Sequence, residues 1–360
     1  MSHLSRLTTA LIASGHDAIL LTSAVSQRWT SGFDYTDGYI FVTRARAYLL
    51  ADFRYIEAAR AAVPASDFEI IMPAGSMLDC ILELARRDNV YTIAYEDDTL
   101  SCAAFARMKQ RLAGAEFVPA GDLINRLREY KDQAELDTIA RAQDIADAAF
   151  QHILITITPN MTEIDVALEL EFFMRKHGAD EAGFQTIAVS GAASSRPHGV
   201  PRPVKLERGF LTMDYGARVD GYTSDMTRTV VLGRADAEMK QLYNTVLRAQ
   251  LAALDAAAEG ASCRALDAIA RDIIESNPAY AGTFGHGLGH GVGLYIHEAP
   301  RLSQGAPASA VLKRGHVVTV EPGIYLEGKY GCRIEDMIAI NPDGTVRNFT
   351  ASPKEMIELF

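Results

Sequence analysis

The apolar positions in the first third of the chain follow two alternating periods. Short apolar runs of strand length occur at 18–21, 39–42, 48–50, 68–71 and 91–94. Between them, apolar residues recur with the spacing of one helix face at 4–13, 55–63, 77–86 and 103–112. This alternation of strands and helices predicts a layered α/β domain.

The pattern changes near residue 125, where we place a domain boundary. A polar segment leads into a long helical pattern at 134–155, and Thr162 opens another helix. The sequence therefore predicts two domains of mixed α/β class, 1–125 and 126–360. The second domain continues with a polar loop at 190–203, strand patterns at 210–219, 222–232, 317–320 and 333–340, and helical patterns at 235–259 and 263–276.

The composition narrows the class of partner. The 360 residues are 48% hydrophobic and 22% charged, with a formal net charge of −11. An acidic balance disfavours nucleic acid, because phosphate binding needs a basic surface. The sequence has neither a basic leader followed by an apolar core nor a run of about 18 apolar residues. The four cysteines show no CxxC spacing, which is typical of a reducing compartment. We expect a cytoplasmic protein with no nucleic-acid or membrane partner.

A glycine-rich segment at 285–297 contains three of the nine histidines. His290 follows His286 by four residues and precedes His297 by seven, with five glycines threaded among them. Glycine loses the most backbone freedom on folding, so its use here requires a reason. We expect these glycines to let the backbone pass close to an ion or a substrate.

Four carboxylates in other segments are candidate partners for a histidine. Asp214 and Glu321 each follow an apolar run that is typical of a buried strand. Burying an unpaired carboxylate is costly, and either a salt bridge or a metal ion would offset that cost. With Asp225, Glu335 and His290 they form an oxygen-rich set that suits two divalent ions such as Mn²⁺, Co²⁺ or Fe²⁺. Bridging carboxylates hold such ions about 3.5–4 Å apart.

These residues lie in four motifs that are separated along the chain. The motifs are Asp214-Tyr-Gly-Ala followed by Gly221-Tyr-Thr-Ser-Asp225-Met-Thr-Arg, then His286-Gly-Leu-Gly-His290, Glu321-Pro-Gly and Arg333-Ile-Glu335-Asp. In type and order they closely resemble the pita-bread metallopeptidases, family M24, which include Xaa-Pro aminopeptidases, Xaa-Pro dipeptidases (prolidases) and methionine aminopeptidases. The resemblance spans roughly residues 130–345. It implies a C-terminal pita-bread catalytic domain after a smaller creatinase-like α/β domain.

The resemblance also implies a ligand set for two divalent ions in each subunit. Asp225 and Glu335 would bridge both ions, Asp214 would bind one, and His290 with Glu321 would bind the other. A metal-bridging water would become hydroxide near neutral pH and attack the scissile carbonyl. Glu321 would then carry a proton to the leaving nitrogen. Mn²⁺ is the first expectation, with Co²⁺, Fe²⁺ and Zn²⁺ as alternatives.

Three further histidines match family positions around the substrate. The counterpart of His297 lies near the carbonyl oxygen, where it stabilises negative charge in the tetrahedral intermediate. His198, in a polar loop, is expected over the cleft, and both are candidate catalytic residues. His286 is a candidate substrate-binding residue, although a lone histidine is as often a satisfied core residue.

Three more residues complete the predicted substrate site. Tyr325 is expected as a cleft wall. Arg333 lies two residues before Glu335 and is expected to hold that carboxylate or its neighbours. Arg301 matches an arginine associated with the C-terminal carboxylate of the substrate in prolidases, and a guanidinium suits bidentate carboxylate binding.

The resemblance thus implies a homodimeric dimetal peptidase that hydrolyses Xaa-Pro bonds in dipeptides or short peptides. Methionine aminopeptidases share the ligands but normally lack the extra N-terminal domain. Creatinase has the fold without the metal ligands, and non-catalytic fold relatives have typically lost them. The alternative that the ligands leave open is another metal-dependent hydrolase or lyase on the same scaffold, acting on a small non-peptide substrate.

Overall fold

The computed structural model describes residues 1–360 and contains two compact units, Met1–Arg128 and Glu129–Phe360. Both units combine helices with sheets, so the predicted mixed α/β class is confirmed. No helix of the chain has both the length and the apolar content needed to cross a membrane.

The N-terminal unit is built on a six-stranded sheet with the order β4-β3-β2-β1-β5-β6. Central β1 runs antiparallel to β2 and parallel to β5. The strands are β1 (Ala18–Leu21), β2 (Gly38–Thr43), β3 (Ala47–Ala51), β4 (Glu69–Ile71), β5 (Thr92–Tyr95) and β6 (Glu116–Pro119). The helices are α1 (His3–Ser14), α2 (Ala24–Ser31), α3 (Ile56–Ala62), α4 (Met77–Arg87), α5 (Cys102–Arg111) and α6 (Leu123–Glu129).

Local sequence explains most of this unit. The apolar run of β1 is fully buried, and α1, α4 and α5 each begin at a serine whose side chain accepts a hydrogen bond from the first helical turn. Helix α2 was not predicted, because its eight residues are mostly polar. Its burial comes from tertiary packing of Gln27 and Trp29.

The C-terminal unit contains two pairs of packed helices. They are α7 (Gln133–Thr156) with α8 (Glu163–Lys176), and α9 (Ala237–Ala256) with α10 (Cys263–Glu275). Asp132 and Thr162 cap α7 and α8 through capping boxes with the carboxylates of Glu135 and Asp165. The predicted helix starting at Thr162 is therefore confirmed, with Thr162 itself as the cap.

Strands between these helices form the remaining sheets, with the orders β20-β12-β9-β8, β14-β13-β15-β18-β19, β11-β10-β7 and β16-β17. Their bounds are β7 (Glu181–Ala182), β8 (Ile187–Ser190), β9 (Gly209–Tyr215), β10 (Ala217–Val219), β11 (Tyr222–Thr223), β12 (Met226–Leu232), β13 (Gly289–Gly291), β14 (Glu298–Leu302), β15 (Val317–Val320), β16 (Gly323–Leu326), β17 (Tyr330–Arg333), β18 (Asp336–Ile340), β19 (Val346–Asn348) and β20 (Glu358–Leu359).

Three strands that the sequence predicted as continuous are interrupted. The run at 210–219 breaks at Gly216, where an added Cβ would lie 1.8 Å from the Ser224 carbonyl oxygen. The runs at 222–232 and 333–340 break beside Asp225 and Glu335. These two carboxylates therefore leave the regular ladder at the points where the sheets meet. The bridge between Thr227 and Glu335 joins the two sheets there.

Candidate active site

One cavity of about 600 Å³ gathers nearly all of the predicted site residues. The five candidate ligands come from separate places: Asp214 in β9, Asp225 before β12, His290 in β13, Glu321 after β15 and Glu335 before β18. The same cavity is lined by the candidate substrate residues His198, His286, His297, Arg301 and Arg333. Tyr325, which was expected as a cleft wall, is not among the lining residues, but it contacts two of them, His286 and Arg333.

The candidate ligands form a tight cluster at the base of this cavity. Ligand atoms of Asp225, His290 and Glu335 all lie within 4.8 Å of one another. Nε2 of His290 lies 3.5 Å from Oδ2 of Asp225 and 3.4 Å from Oε1 of Glu321. Asp225, His290 and Glu335 are each at most 5% exposed, so water screens their charges poorly.

The carboxylates of the cluster have raised pKa values, which indicates that their ionised forms lack balancing positive charge. Burial raises the pKa of Asp225 far above its ordinary value, and the neighbouring carboxylates, first that of Glu335, raise it further. Burial likewise raises the pKa of Glu335, with Glu321 as the largest like-charge neighbour. Burial also raises the pKa of Glu321 to about 8, although the charge of Arg333 acts in the opposite direction.

Two atoms of the cluster have the chemistry that a divalent cation requires. Nδ1 of His290 lies 3.0 Å from the Gly291 carbonyl oxygen and therefore carries the proton, so Nε2 presents a lone pair to two carboxylates. Burial lowers the pKa of His290 to about 3, which excludes a protonated imidazole as the balancing charge. In addition, Oδ1 of Asp214 is buried without a hydrogen-bond partner. A cation among these oxygen atoms and Nε2 would satisfy every one of them.

Two threonines orient the ligands, and motif reasoning missed both. The Thr227 hydroxyl donates to Oε2 of Glu335 at 2.6 Å. The Thr319 hydroxyl accepts from the His290 amide at 3.1 Å and donates to Oε1 of Glu321 at 3.3 Å. Thr319 lies on β15 and precedes Glu321, the residue after that strand, by two positions, so their side chains point to the same face. This period-two spacing was the available signal.

Arg333 is buried and connects two of the candidate ligands. Its Nη2 donates to Oδ2 of Asp214, and its Nε donates to the Thr227 hydroxyl at 3.0 Å, which in turn holds Glu335. The expectation that Arg333 holds Glu335 or its neighbours thus has a geometric basis: the contact with Asp214 is direct and that with Glu335 is indirect.

His286 and Tyr325 belong to the same hydrogen-bond chain. Nδ1 of His286 lies 2.8 Å from the Gly287 carbonyl oxygen, and its Nε2 lies 2.9 Å from the Tyr325 hydroxyl. That hydroxyl accepts from Nη1 of Arg333 at 2.8 Å. Burial lowers the pKa of His286 to about 4, so the ring is neutral near pH 7. Both ring nitrogens are therefore engaged with protein groups, which leaves none for a metal ion.

The cavity wall beside His290 carries cationic and apolar groups. The His297 ring packs edge-to-face on His290 with centroids 4.4 Å apart. Burial, followed by the charge of Arg301, lowers the pKa of His297. Arg301 lies opposite His290 in the ladder between β13 and β14. The apolar part of the wall is formed by Phe184, Ile187, Val200 and Ile296.

The glycines of the 285–297 segment have a packing role besides the one expected. A Cβ at Gly287 would lie 2.8 Å from the Leu302 carbonyl oxygen, and one at Gly289 would lie 2.0 Å from that of Thr319. A Cβ at Gly291 would meet the Ala299 carbonyl oxygen at 2.2 Å. These glycines therefore let neighbouring strands approach His290 on both sides. Gly287 and Gly289 also line the cavity, and the expectation that they bring the backbone close to an ion or a substrate stays a prediction.

Two protein-family models match the chain. The model of metallopeptidase family M24 matches residues 137–342, and that of the creatinase/prolidase N-terminal domain matches residues 3–130. An uncharacterized peptidase of Bacillus subtilis is 39% identical over 96% of both chains. An Xaa-Pro dipeptidase of Pyrococcus furiosus is 35% identical over 98% of this chain and 99% of its own.

Solved structures show the same relationship. An Xaa-Pro dipeptidase from Bacillus anthracis superposes with a TM-score of 0.94 at 41% identity, covering 99% of both chains. An X-Pro aminopeptidase from Thermotoga maritima gives a TM-score of 0.90 at 33% identity, covering 98% of this chain and 100% of its own. Proteins named Xaa-Pro dipeptidase and X-Pro aminopeptidase thus both share the fold of this chain over nearly its full length.

Proposed function

The chain belongs to metallopeptidase family M24, and from this premise we propose that it hydrolyses Xaa-Pro bonds in dipeptides or short peptides with the aid of two divalent cations. The observation that carries the proposal is the buried cluster of Asp225, Glu321, Glu335 and His290 at the base of a cavity of about 600 Å³. Its excess of buried negative charge fits a pair of dications.

We assign the cation ligands to five side chains. Asp225 and Glu335 would bind both ions, Asp214 would bind one, and His290 with Glu321 would bind the other. Bound divalent cations would supply Lewis acidity and lower the pKa of a water molecule toward neutrality. The oxygen-rich donor set favours Mn²⁺, with Co²⁺, Fe²⁺ and Zn²⁺ as alternatives, since such sites select metals weakly by affinity alone.

Three residues of the chain would handle charge and protons around the scissile bond. Glu321, whose Oε1 is oriented by Thr319, would move a proton from the attacking water to the proline nitrogen. This step matters because that nitrogen leaves poorly until it is protonated. His297 and His198, which line the same cavity, would donate hydrogen bonds to the carbonyl oxygen as negative charge develops on it.

The wall that carries Arg301 would select the substrate. Arg301 is the cationic group that suits the C-terminal carboxylate of a dipeptide, and the apolar residues around Phe184 and Ile296 suit an uncharged N-terminal side chain. This combination favours dipeptides over longer peptides, because a third residue would move the carboxylate away from Arg301.

Hydrolysis of two defined peptides tests the proposal. Purified protein loaded with Mn²⁺ or Co²⁺ is incubated with Ala-Pro and with Ala-Pro-Ala, and released alanine is measured. We expect cleavage of Ala-Pro, slower cleavage of Ala-Pro-Ala, and loss of both activities with EDTA or in Glu321→Gln. Ala-Ala serves as the substrate control. Absence of cleavage of either proline peptide by metal-loaded protein would contradict the peptidase assignment and favour a small non-peptide substrate.

The homodimer expected from the family resemblance stays a prediction, as does the cytoplasmic compartment. Light scattering coupled to size exclusion measures the former directly. A dimer has twice the chain mass of 39.2 kDa, and a species of single-chain mass at all concentrations would contradict it.

A further inference from the structure

Helix α10 carries a buried ion pair one turn apart, outside the cavity wall. Nε of Arg271 donates to Oδ2 of Asp267 at 2.9 Å, and Nη2 donates to Oδ1 at 3.1 Å. Asp267 is 0% exposed and Arg271 is 9% exposed. A buried ion pair contributes little net stability, because desolvating both charges cancels most of their attraction. The pair therefore calls for another explanation.

The pair binds the backbone of the glycine-rich segment at three alternate residues. Arg271 donates to the carbonyl oxygens of Phe284 at 2.6 Å and His286 at 2.8 Å. Oδ1 of Asp267 accepts from the amide of Leu288 at 2.9 Å. The guanidinium also stacks over the Phe284 ring, 4.3 Å from its centroid. One side-chain pair thus fixes the path of the chain from 284 to 288.

This fixed segment leads directly to two candidate metal ligands. The Leu288 carbonyl oxygen accepts from the amide of Glu321 at 2.8 Å. Two residues further along, the backbone amide of His290 donates a hydrogen bond to the Thr319 hydroxyl. The position of Leu288 therefore influences both the backbone of Glu321 and the direction in which His290 enters the cluster.

We propose that Asp267 and Arg271 are positioning residues for the metal site, and that through Leu288 they set its affinity for divalent cations. Neither side chain lines the cavity, so both act only through the residues that they hold. The inference rests on the proposed function, because it requires that the cluster binds cations. Outer residues of this kind typically change metal affinity about 10–100-fold when they are replaced.

A second acid–arginine pair, whose acid is fully buried, provides a control. Glu163, also 0% exposed, accepts from the Ser190 amide at 2.7 Å and from three nitrogens of Arg202 at 2.6–3.0 Å. It thereby holds both ends of the 190–202 loop, which carries His198 but no candidate ligand. The two pairs share their chemistry and a fully buried acid, although the Arg202 side chain is 33% exposed and that of Arg271 only 10%. They also differ in what the attached loop brings to the cavity.

Metal binding by the full chain, stripped of metal with EDTA, tests the proposal. Mn²⁺ is titrated calorimetrically into wild type, Asp267→Asn, Arg271→Lys and Glu163→Gln. Asparagine keeps the volume and one acceptor for the Leu288 amide but loses the charge that orients Arg271. Lysine keeps the charge of Arg271 but cannot reach both carbonyl oxygens. We expect Kd to rise about 10–100-fold in Asp267→Asn and less in Arg271→Lys, with Glu163→Gln within about twofold of wild type.

Thermal unfolding separates positioning from general destabilisation. Both Asp267→Asn and Glu163→Gln should lower the melting temperature of the metal-free chain, whereas only Asp267→Asn should reduce the upward shift that Mn²⁺ produces. An unchanged Kd in Asp267→Asn, or an equal loss in Glu163→Gln, would overturn the proposal while leaving the metal site intact. If Asp267→Asn does not fold, wild-type affinity in Arg271→Lys overturns it. A wild-type chain that binds no Mn²⁺ would instead overturn the proposed function together with this inference.

Discussion

Buried carboxylates occur in two kinds of region in the C-terminal unit, and these regions differ in the charge of the groups around the carboxylate. At the base of the cavity, Asp225 and Glu335 are surrounded by other carboxylates, and their pKa values are raised. Burial alone would also raise the pKa of Glu163, but hydrogen bonds from Arg202 and Ser190 outweigh it, and the net pKa is lowered. The pair on α8 is electrostatically complete, whereas the four carboxylates of the cluster share one guanidinium, that of Arg333. Burial alone therefore does not indicate a metal site, and the proposed site rests on the excess of buried negative charge.

The N-terminal unit supports the same distinction. Oδ2 of Asp17 accepts from the amides of Tyr91 and Thr92, and Glu96 accepts from the amides and hydroxyls of Thr22 and Ser23. Burial opposes ionisation of Asp17, but these donors lower its pKa overall. Asp17 and Glu96 join loops to strand ends, and hydrogen-bond donors stabilise their negative charge. They therefore do not require a cation.

Replacing a cluster carboxylate should give the largest effect. Asp225→Asn removes an assigned ligand of both cations, and we expect kcat/KM for Ala-Pro to fall about a thousandfold or more, since metal catalysis contributes several kcal/mol. The same change should raise the urea midpoint of the metal-free chain at neutral pH, because a carboxyl whose folded pKa lies above its unfolded value destabilises the fold increasingly as pH rises above about 4. A lower midpoint in metal-free Asp225→Asn would break the contrast between the two regions.

Replacing Arg301, which lies in the cavity wall beside His290, should have a smaller effect that is specific to the substrate. Arg301→Ala removes a charge-assisted hydrogen bond of about 1.5–3 kcal/mol, so KM for Ala-Pro should rise about 10–100-fold. Mn²⁺ affinity should stay at the wild-type value. With Ala-Pro-amide, which lacks the carboxylate, wild type and variant should have similar KM values. An equal loss with the amide would show that Arg301 does not bind the carboxylate.

Glu163→Gln should destabilise the metal-free chain, in contrast to Asp225→Asn. The glutamine loses charge-assisted hydrogen bonds with Arg202 and Ser190, so the free energy of unfolding near pH 7 should fall by about 1.5–3 kcal/mol. Urea denaturation followed by circular dichroism measures the difference. A variant as stable as wild type would show that the pair on α8 is not electrostatically complete.

The pH dependence of that difference has a definite sign. The folded pKa of Glu163 lies below its unfolded value, so its stabilisation is complete above about pH 4.3 and disappears as pH falls through the folded pKa. The stability gap between wild type and Glu163→Gln should therefore be constant from neutral to mildly acidic pH and shrink below about pH 4. A gap that widens on acidification would contradict the assignment of a charged Glu163.

An exposed pair should give the smallest effect. Arg141 and Asp220 form a salt bridge at 2.7 Å with both side chains more than half exposed. Arg141→Ala should change the free energy of unfolding by less than about 0.5 kcal/mol and leave Mn²⁺ affinity unchanged. A larger change would mean that burial is not what distinguishes the pairs on α8 and α10.

The sequence was sufficient for the parts of the site that depend on motif and period. The α/β class was predictable from alternating apolar patterns, and the candidate ligands from four motifs, because each depends on residues close together along the chain. The strand breaks at Asp225 and Glu335 were not predictable, since local apolar periodicity continues through both positions. They follow from the junction between two sheets that are distant in sequence.

The supporting residues were harder to predict for the same reason. Asp267 and Arg271 have the spacing of an ordinary helix surface pair, and only the folded chain places the segment from Phe284 to Leu288 against them. Likewise, the need for glycine at Gly289 comes from the carbonyl oxygen of Thr319, thirty residues away in the sequence. Motifs identify side chains that react, but the residues that orient them are determined by tertiary contacts.

The most direct measurement is the stoichiometry of Mn²⁺ binding to the metal-free wild-type chain and to Asp225→Asn, by calorimetry at neutral pH. If the like-charged cluster is a dication site, wild type binds two ions for each chain, its melting temperature rises on loading, and Asp225→Asn loses both responses. Two ions bound equally well by Asp225→Asn, or none bound by wild type, would contradict that assignment.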